Sequence, residues 1–387
     1  MTERVGIVAV AQTKYEADKE RQNFGEMVRE VVDKVVAETG LKYEDQEPND
    51  FAIDKIVSCS EDYWDCANIS DIRTHAEMGG FAMDEIKVSA DGAQAAFLAT
   101  LNILAGHANV VLVVAHRKES ITTASIIENA AFDPIYQRPL GLDFRSAAAL
   151  QAQRYKDKYE INQEQWAKAV VRDRKNAQNN PYALGLPPLT TADVLDSRML
   201  VYPLRLLDCK PPSDGACAMI LAREDIAKKI TDKPVWVTGM GNCYDAHYLG
   251  DRDLGDCDAL VMAANRAYKM AGVSNPLKDI DVAEISADYS YQELLWMEGL
   301  GFCDRGKAGQ LIDDGITEAD GELPINLSGG TLAGSPGGVA GLARVADLVL
   351  QLRGEAGAGQ AKSLKTGVAH GVTGQCGQSH CVIILGN

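Results

Sequence analysis

The 28 residues Val88–Ala115 read VSADGAQAAFLATLNILAGHANVVLVVA and predict a turn, a helix and a strand in succession. A short polar turn with one glycine leads into the alanine-rich segment Ala93–Ala105, which predicts a helix that ends at Gly106. The continuous apolar run Asn109–Ala115 predicts a strand inside a sheet that is covered on both faces. Because a helix N-terminus leaves backbone N–H groups free, the small residues of the turn indicate a place where a ligand or another backbone comes close.

A second stretch has the same design. Asn326–Gly354 reads NLSGGTLAGSPGGVAGLARVADLVLQLRG, again a small-residue loop that leads into a long helix. The two stretches favour a duplicated unit in which strands and helices alternate, which is the α/β class. The other predicted strands are Val5–Val10, Ile53–Ser58, Ala216–Leu221, Val235–Met240, Val282–Ser286 and Cys381–Leu385, and the other predicted helices are Phe24–Glu38, Ala259–Ala271, Glu293–Gly299 and Val339–Arg353.

The chain has 387 residues, which is enough for two domains of ordinary size. The alternating pattern breaks up between about Ser120 and Val201, where a charged helix around Leu150–Asn176 is followed by proline-containing turns. We interpret this region, about 117–205, as a loop domain inserted over one end of the sheet. The predicted division is therefore a first half, 1–230, that includes the loop domain, and a second half, 231–387.

Composition excludes several classes of function. The formal net charge of -17 disfavours nucleic acid as a partner, because such binding needs a basic surface. No run of 18 apolar residues occurs, so we expect no membrane span, and the N-terminus MTERVGIVAVAQTKY predicts a first strand rather than a signal peptide. The nine cysteines form no CxxC pair, so we expect reduced thiols in a cytoplasmic protein and no metal site in this chain.

Three further segments carry a specific resemblance. They are YPLRLLDCKPPSDGACAMILA (Tyr202–Ala222), GFCDRGKAGQLIDDG (Gly301–Gly315) and LPINLSGGTLAGSPGGVAG (Leu323–Gly341). With them the chain resembles the thiolase superfamily over nearly its whole length, close to the sterol-carrier-protein type and to heteromeric bacterial thiolases such as the large subunits of benzoylsuccinyl-CoA thiolases of anaerobic toluene degradation. The resemblance implies a thiolase fold, a duplicated five-layered α-β-α-β-α architecture with an inserted loop domain. It also implies an acyltransferase that cleaves or forms a β-keto acyl-CoA.

The resemblance assigns the catalytic loops, and this chain departs from the family pattern in three of them. Ser89 stands in the place of the nucleophilic cysteine of a Cys-x-Ser-Gly turn, and Ser335 in the place of the histidine of a Gly-His-Pro motif. The stretch Ser286–Tyr289 matches the loop that holds an oxyanion water. The implied catalytic residues are His370, Cys376, Ser89, Ser335, Asp288 and Ser286, and the implied substrate-binding residues are Gly92, Gly334, Gly377 and Tyr289.

The residue types indicate how the chemistry is shared. A serine without a base is a poor nucleophile, so we expect Ser89 to position the acyl group, or simply to cap the helix, rather than to form an acyl-enzyme. His370, which we place at a strand end, is the first choice for the general acid–base, with a structural role as the alternative. Cys376 lies among polar residues and glycines, so we expect an accessible thiol there, against the alternative of an incidental core cysteine.

The resemblance also implies ligands and partners. We expect coenzyme A as a substrate and no permanently bound cofactor, with basic residues of Arg145–Lys175 meeting its phosphates. We expect a homodimer core built along paired strands of the first half, among which Asn109–Ala115 is apolar enough to be buried. We also expect a small zinc-ribbon/OB-fold subunit that would carry any zinc. The acidic, aromatic stretch Cys59–Asp65 (CSEDYWD) is either a binding loop or a subunit contact.

Two other functions fit the same sequence. The first is a thiolase-fold retro-aldolase that acts on a CoA thioester. The second is a non-catalytic subunit that binds acyl-CoA, which the missing cysteine and histidine favour and the retained small residues disfavour.

Overall fold

The computed structural model describes residues 4–44 and 51–387, so residues 1–3 and 45–50 of the predicted first half lie outside the described part. The strands are β1 Val5–Gln12, β2 Lys55–Cys59, β3 Asp84–Val88, β4 Val110–Lys118, β5 Met199–Val201, β6 Leu204–Arg205, β7 Asp214–Arg223, β8 Val235–Tyr244, β9 Val282–Ile285, β10 Thr366–Thr373 and β11 Ser379–Gly386. The helices are α1 Phe24–Thr39, α2 Asp62–Asp65, α3 Gly92–Leu104, α4 Ala124–Ala130, α5 Phe144–Tyr159, α6 Gln163–Asn176, α7 Thr191–Asp196, α8 Glu224–Ile230, α9 Asp258–Ala271, α10 Pro276–Asp279, α11 Ser290–Gly299, α12 Ala308–Asp313 and α13 Ala340–Arg353.

Helix α1 shows how local sequence sets an element. The Asn23 side chain accepts a hydrogen bond from the backbone of Glu26, and the Glu26 side chain accepts one from the Asn23 backbone, which fixes the first turn. Its buried valines recur at helical spacing against β1 and β7. Gly40, with φ of 68°, then ends the helix in the left-handed conformation that glycine adopts without strain.

The two halves of the chain have the same strand order. The hydrogen-bonded order is β3-β2-β4-β7-β1-β8-β11-β10-β9, and residue Ile325 pairs with β9 in parallel as β3 pairs with β2. The first half therefore reads β3-β2-β4-β7-β1, and the second half reads Ile325-β9-β10-β11-β8. Among the described strands, Val5–Ile7 and Val235–Val237 pair the two halves into one sheet. The repeated order confirms the predicted duplication of the α/β unit.

Five layers follow from the packing. Helices α3 and α13 pack against each other and contact strands of both halves, so they form the central layer. Helices α1 and α8 cover the outer face of the first half, and α9 covers that of the second. The boundary that we predicted at 230/231 falls between α8 and β8.

The inserted region differs from the sequence expectation in two respects. A single helix around Leu150–Asn176 is wrong, because α5 ends where Glu160 adopts a left-handed conformation with φ of 56°, and Asn162 caps the new helix α6. Strand β4 extends to Lys118, past the predicted start of the loop domain at 117.

Strand β3 has no apolar run and was not predicted. Within the described part of the chain it pairs only with β2 and forms a free edge of the sheet, whereas β4 is buried between β2 and β7. The predicted burial of the apolar run in Asn109–Ala115 is confirmed, because both edges of β4 carry hydrogen-bonded strands. No edge of β4 therefore remains for pairing with a second copy. The free edge of the first half is β3.

Candidate active site

A solvent-open cleft lies where the small-residue turn before α13 meets the carboxyl end of β4 and the loop after β9. It has two adjoining lobes that share five residues, Glu119, Glu128, Phe144, Lys210 and Asp288. The first lobe, of about 190 Å³, is also lined by Glu61, Tyr63, Trp64, Arg117, Ile127, Ala131, Ser286, Gly337, Gly338, Ala340, Val372, Thr373 and Gly374. The second lobe adds Ala124, Arg145, Cys209, Pro212 and Tyr289.

Two ion pairs form the floor of the cleft. Lys210 Nζ lies 2.8 Å from Glu119 Oε1, and the same carboxylate accepts hydrogen bonds from the backbone of Ser213 and Gly337. Arg117 Nη2 lies 3.0 Å from Glu61 Oε2, and its guanidinium stacks 4.8 Å from the centre of the Trp64 ring. The buried cations are thus held in place by their own carboxylates.

Two further carboxyl groups face the cleft with no hydrogen bond or ion pair to another described residue. They are Asp288, in the loop between β9 and α11, and Glu128, on α4. Burial raises the pKa of Asp288, with Lys210 opposing the shift and Glu119 adding to it. Burial also raises the pKa of Glu128 to about 7. A carboxyl with a raised pKa and a free face is suited to proton transfer.

The turn Ser89–Gly92, which stands in the place of the family's nucleophile turn, directs its carboxylate into the protein interior. Asp91, not Ser89, caps α3, so the helix-cap alternative for Ser89 is wrong. One Asp91 oxygen accepts from the backbone of Ala93 and the other from that of Gly341, the second residue of α13. Burial raises the pKa of Asp91 to about 7 in spite of these bonds. Ser89 is exposed and does not line the cleft.

The other two serines are buried in different surroundings. The hydroxyls of Ser286 and Ser335 have no hydrogen-bond partner in the structure. Ser286 lines the first lobe, whereas Ser335 does not. Of the six implied catalytic residues, only Ser286 and Asp288 therefore line the cleft.

His370 does not reach the cleft. The expectation that it stands at a strand end is wrong, because it lies in the middle of β10 and is fully buried. Its Nε2 lies 2.9 Å from His380 Nδ1, and both rings pack against Trp296. Burial and the second imidazole lower the pKa of His370 well below its usual range, so the ring is neutral at physiological pH.

Cys376 is buried, so the expectation of an accessible thiol is wrong. It packs with Phe132, Ala147 and Leu249, and its Sγ lies 3.3 Å from the Ala147 carbonyl oxygen. Burial raises its pKa to about 12. Since the thiolate is the nucleophile, this environment suppresses attack. Cys59 is the cysteine beside the Ser89 turn, 3.5 Å from the Gly338 carbonyl oxygen, and burial raises its pKa as well.

The implied substrate-binding residues divide in the same way. Tyr289 lines the second lobe. The three glycines serve internal packing, because a Cβ would lie 2.6 Å from Leu342 at Gly92, 2.6 Å from Leu184 at Gly334 and 2.5 Å from Trp296 at Gly377. None of these glycines is among the residues that line the cleft.

Sequence reasoning missed four charged residues of the cleft: Arg117, Glu119, Glu128 and Lys210. The signal was present for two of them, because Arg117 and Glu119 follow the apolar run of β4 at its carboxyl end, where α/β proteins place binding residues. The stretch Cys59–Asp65 supplies Glu61, Tyr63 and Trp64 to the lining, which favours the binding-loop interpretation over the subunit contact. Of the segment Arg145–Lys175, only Arg145 reaches the cleft.

Among the residues that the structure describes, no helix is long and apolar enough to cross a membrane. Within residues 4–44 and 51–387, no group of three or more His, Cys, Asp or Glu side chains is arranged to hold a metal ion.

The chain has relatives among characterised proteins. An acetyl-CoA acetyltransferase of Methanocaldococcus jannaschii is 32% identical over 290 residues, which cover 73% of this chain and 74% of that protein. An acetyl-CoA acetyltransferase of Methanothermobacter thermautotrophicus is 40% identical over 249 residues, 64% of either protein. The benzoylsuccinyl-CoA thiolase subunit BbsB of Thauera aromatica is 28% identical over 266 residues, 68% of this chain and 69% of that one.

Solved structures share the fold. An Ltp2-ChsH2(DUF35) aldolase superposes with a TM-score of 0.84 at 24% identity, covering 99% of this chain and 97% of that one. A monomeric SCP2-thiolase-like protein from Mycobacterium smegmatis superposes with a TM-score of 0.74 at 17% identity, covering 99% and 77%. The family profile described as "Thiolase C-terminal domain-like" matches residues 241–387. The chain therefore belongs to the thiolase superfamily, which includes sterol-carrier-protein-type members.

Proposed function

We propose that this protein is a thiolase-type acyltransferase that cleaves or forms the carbon–carbon bond beside the thioester of a β-keto acyl-CoA. One observation supports this most directly: an unpaired carboxylate, Asp288, faces a cleft at the strand ends of a thiolase-superfamily chain, beside the ammonium of Lys210. Asp288 is the general base, and Lys210 stabilises the negative charge that develops on the substrate oxygen.

The reaction that these groups support needs no acyl-enzyme. Asp288 removes the proton of the CoA thiol, whose sulfur attacks the β-keto carbon. The bond between the α- and β-carbons then breaks, and its electron pair passes to the α-carbon as an enolate. Asp288 returns the proton to that carbon, so one acyl-CoA and free CoA give two acyl-CoA products. Lys210 has three N–H donors and uses one on Glu119, which leaves others for the enolate oxygen.

A retro-aldolase on a CoA thioester is the second candidate, and the composition of the lining favours it. Among the described residues, the lining holds no imidazole, and its one thiol, Cys209, has a pKa that burial raises to about 12. An aldol cleavage needs only a base for the β-hydroxyl proton and stabilisation of the enolate, which Asp288 and Lys210 would supply.

One residue at the rim of the cleft supports a position for the rest of coenzyme A. Arg145 is exposed at the edge of the second lobe and has no ion pair with a described residue, so it is the candidate for a CoA phosphate. Benzoylsuccinyl-CoA remains one substrate suggested by resemblance, and its turnover belongs in the same assay. A small subunit that carries its own zinc is the proposed heteromeric partner.

The assay separates the two reactions. The purified protein, alone and with the proposed small subunit, is incubated with a β-keto acyl-CoA or a β-hydroxy acyl-CoA, with and without free CoA. Thioester products that require added CoA support the acyltransferase. A ketone or aldehyde released without CoA supports the aldolase. No turnover of either class, with the partner present, would contradict the proposal.

We also propose that two copies pair along β3, the free edge of the first half. The segment packed beside this strand exposes Ile72 (68%) and Phe81 (66%), and it is tied to β3 by Lys87–Asp71 and His75–Glu85 contacts. The change Phe81→Glu should therefore turn a dimer into a monomer in light scattering. Ile126→Glu, at an equally exposed residue of α4 (68%), is the matched control and should leave the dimer intact. A wild-type protein that is monomeric with and without its partner would overturn this pairing.

A further inference from the structure

The charges of the cleft do not balance. Inside it, Arg117 is paired with Glu61 at 3.0 Å and Lys210 with Glu119 at 2.8 Å, so each buried cation already has its own carboxylate. Asp288 and Glu128 line both lobes in addition, and neither has an ion pair or hydrogen bond to its side chain from a described residue. The interior therefore holds two carboxyl groups in excess of its cations.

We propose that this excess makes the cleft select acyl groups that are uncharged and carry a hydroxyl or another hydrogen-bond donor, and reject acyl chains that end in a free carboxylate. The proposal rests on the proposed function, since it places the acyl group of an acyl-CoA in this cleft. It deepens that function by naming the substrate class, and it argues against benzoylsuccinyl-CoA, whose acyl group keeps a free carboxylate.

The physical reason is the balance between lost hydration and available partners. A carboxylate that enters the cleft loses water, and its cost is recovered only if a cation or several donors replace the water. Arg117 is paired with Glu61, and Lys210 is paired with Glu119 and gives its remaining N–H donors to the enolate oxygen in the proposed reaction. The two free carboxyl groups repel a third negative charge. A hydroxyl, in contrast, donates to Asp288 or Glu128 and satisfies an acceptor that is otherwise unpaired.

Arg145 does not compensate for this excess. It is the lining cation without a carboxylate partner among the described residues, but it stands exposed in the first turn of α5, at the edge of the second lobe only. A screened, hydrated guanidinium at the rim can meet a phosphate outside the cleft and contributes little to a charge inside it.

The selection should depend on pH in a defined direction. Burial raises the pKa of Glu128 to about 7, helped by Asp288 and Glu119 and opposed by Lys210 and Arg145. Below that pH Glu128 is neutral, and above it the group is ionised. Asp288 faces Lys210, Glu119 and Arg117, and burial shifts its pKa in the same direction. Rejection of a carboxylate should therefore strengthen as pH rises from 6 to 8.

Two CoA esters test the proposal. 5-Hydroxypentanoyl-CoA and succinyl-CoA have acyl chains of equal heavy-atom count, and they differ in a terminal hydroxyethyl group against a carboxylate. Calorimetric titration of the full chain, with its partner where one is needed for binding, should give at least ten-fold tighter binding of the hydroxyacyl-CoA at pH 8 and a smaller ratio at pH 6. The substitutions Glu128→Gln and Asp288→Asn should each reduce the ratio at pH 8 at least three-fold.

A control and the contrary outcomes complete the design. Glu322 is exposed and precedes the Ile325 pairing with β9, at the opposite end of that strand from Asp288, so Glu322→Gln should leave the ratio unchanged. Equal affinity for the two esters at pH 8 would overturn the selection and leave the proposed function standing. Failure of both esters to bind, with the partner present, would contradict the proposed function and this inference with it.

Discussion

The turns before α3 and α13 occupy equivalent places in the two halves of the chain, but they have different structural roles. The first ends in Asp91, whose carboxylate takes backbone N–H groups from both helices. The second has Val339 at the same capping place, with no side-chain cap, and presents Gly337 and Gly338 to the cleft. The donors that would activate a nucleophile at the first turn are therefore occupied by the chain itself, and the free carboxylate lies in a loop of the second half, at Asp288.

The largest expected effect tests whether the reactive group is Asp288, in the second half, rather than a residue of the first turn. The change Asp288→Asn should lower kcat/KM at least about 100-fold, because the general base is lost while the shape of the side chain is kept. The measurement is turnover of the acyl-CoA that the wild type accepts, with circular dichroism as the check on folding.

Ser89→Ala is the matched change in the other half and should alter turnover less than about three-fold, within the range of minor surface effects. The contrast fails if Ser89→Ala is the more damaging of the two, or if a tryptic peptide that contains Ser89 carries an acyl group after incubation with substrate.

An effect of intermediate size on stability follows from the close packing around the Asp91 carboxylate. A Cβ on Gly371, in β10, would lie 2.1 Å from Asp91 Oδ1. Gly371→Ala should therefore destabilise the protein by about 1–3 kcal/mol, as overpacking in a close-packed interior does. Chemical denaturation measures the loss. Gly250→Ala has nothing within 4 Å of its Cβ and should change the free energy of unfolding by less than about 0.5 kcal/mol. Equal effects of the two changes would show that Asp91 tolerates displacement.

The last expected effect is in the pH dependence of stability. Burial raises the pKa of Asp91 to about 7. In the unfolded chain an aspartate titrates near about 4, so between these values the folded state holds the extra proton and stability falls as pH rises. Asp91→Asn removes this contribution, so the thermal midpoint of the variant should fall less than that of the wild type between pH 5 and pH 8. Parallel pH curves for the two proteins would contradict the assignment.

Local sequence predicted the elements whose burial follows a simple period. The valines of α1 and the apolar run of β4 placed those elements within one to three residues of their observed ends. Strand β3 (DEIKV) carries three charged residues and lies at an edge, so its pattern does not differ from that of a loop. The break between α5 and α6 depends on the left-handed conformation of one glutamate, which residue type does not predict.

The site was predicted in part, and the reason lies in sequence distance. Ser286 and Asp288 were identified because a family motif marks their loop. Glu119 and Lys210 resemble ordinary charged residues after a strand, and their burial depends on a turn more than 100 residues further along the chain, where the Gly337 backbone donates to Glu119. His370 has a residue type that suits acid–base chemistry. Its neighbour Gly371 faces Asp91, and side chains alternate between the two faces of β10, so the His370 imidazole points away from that carboxylate.

The way Asp91 joins α3 to α13 requires that the two halves of the chain differ at this place. If the halves were identical here, a second carboxylate would stand opposite the first, at the capping place that Val339 holds. Two such groups would compete for the same N–H donors and repel, and one would have to stay protonated. A single acid that serves both helices avoids this conflict, and it leaves the second turn free to present Gly337 and Gly338 to the cleft.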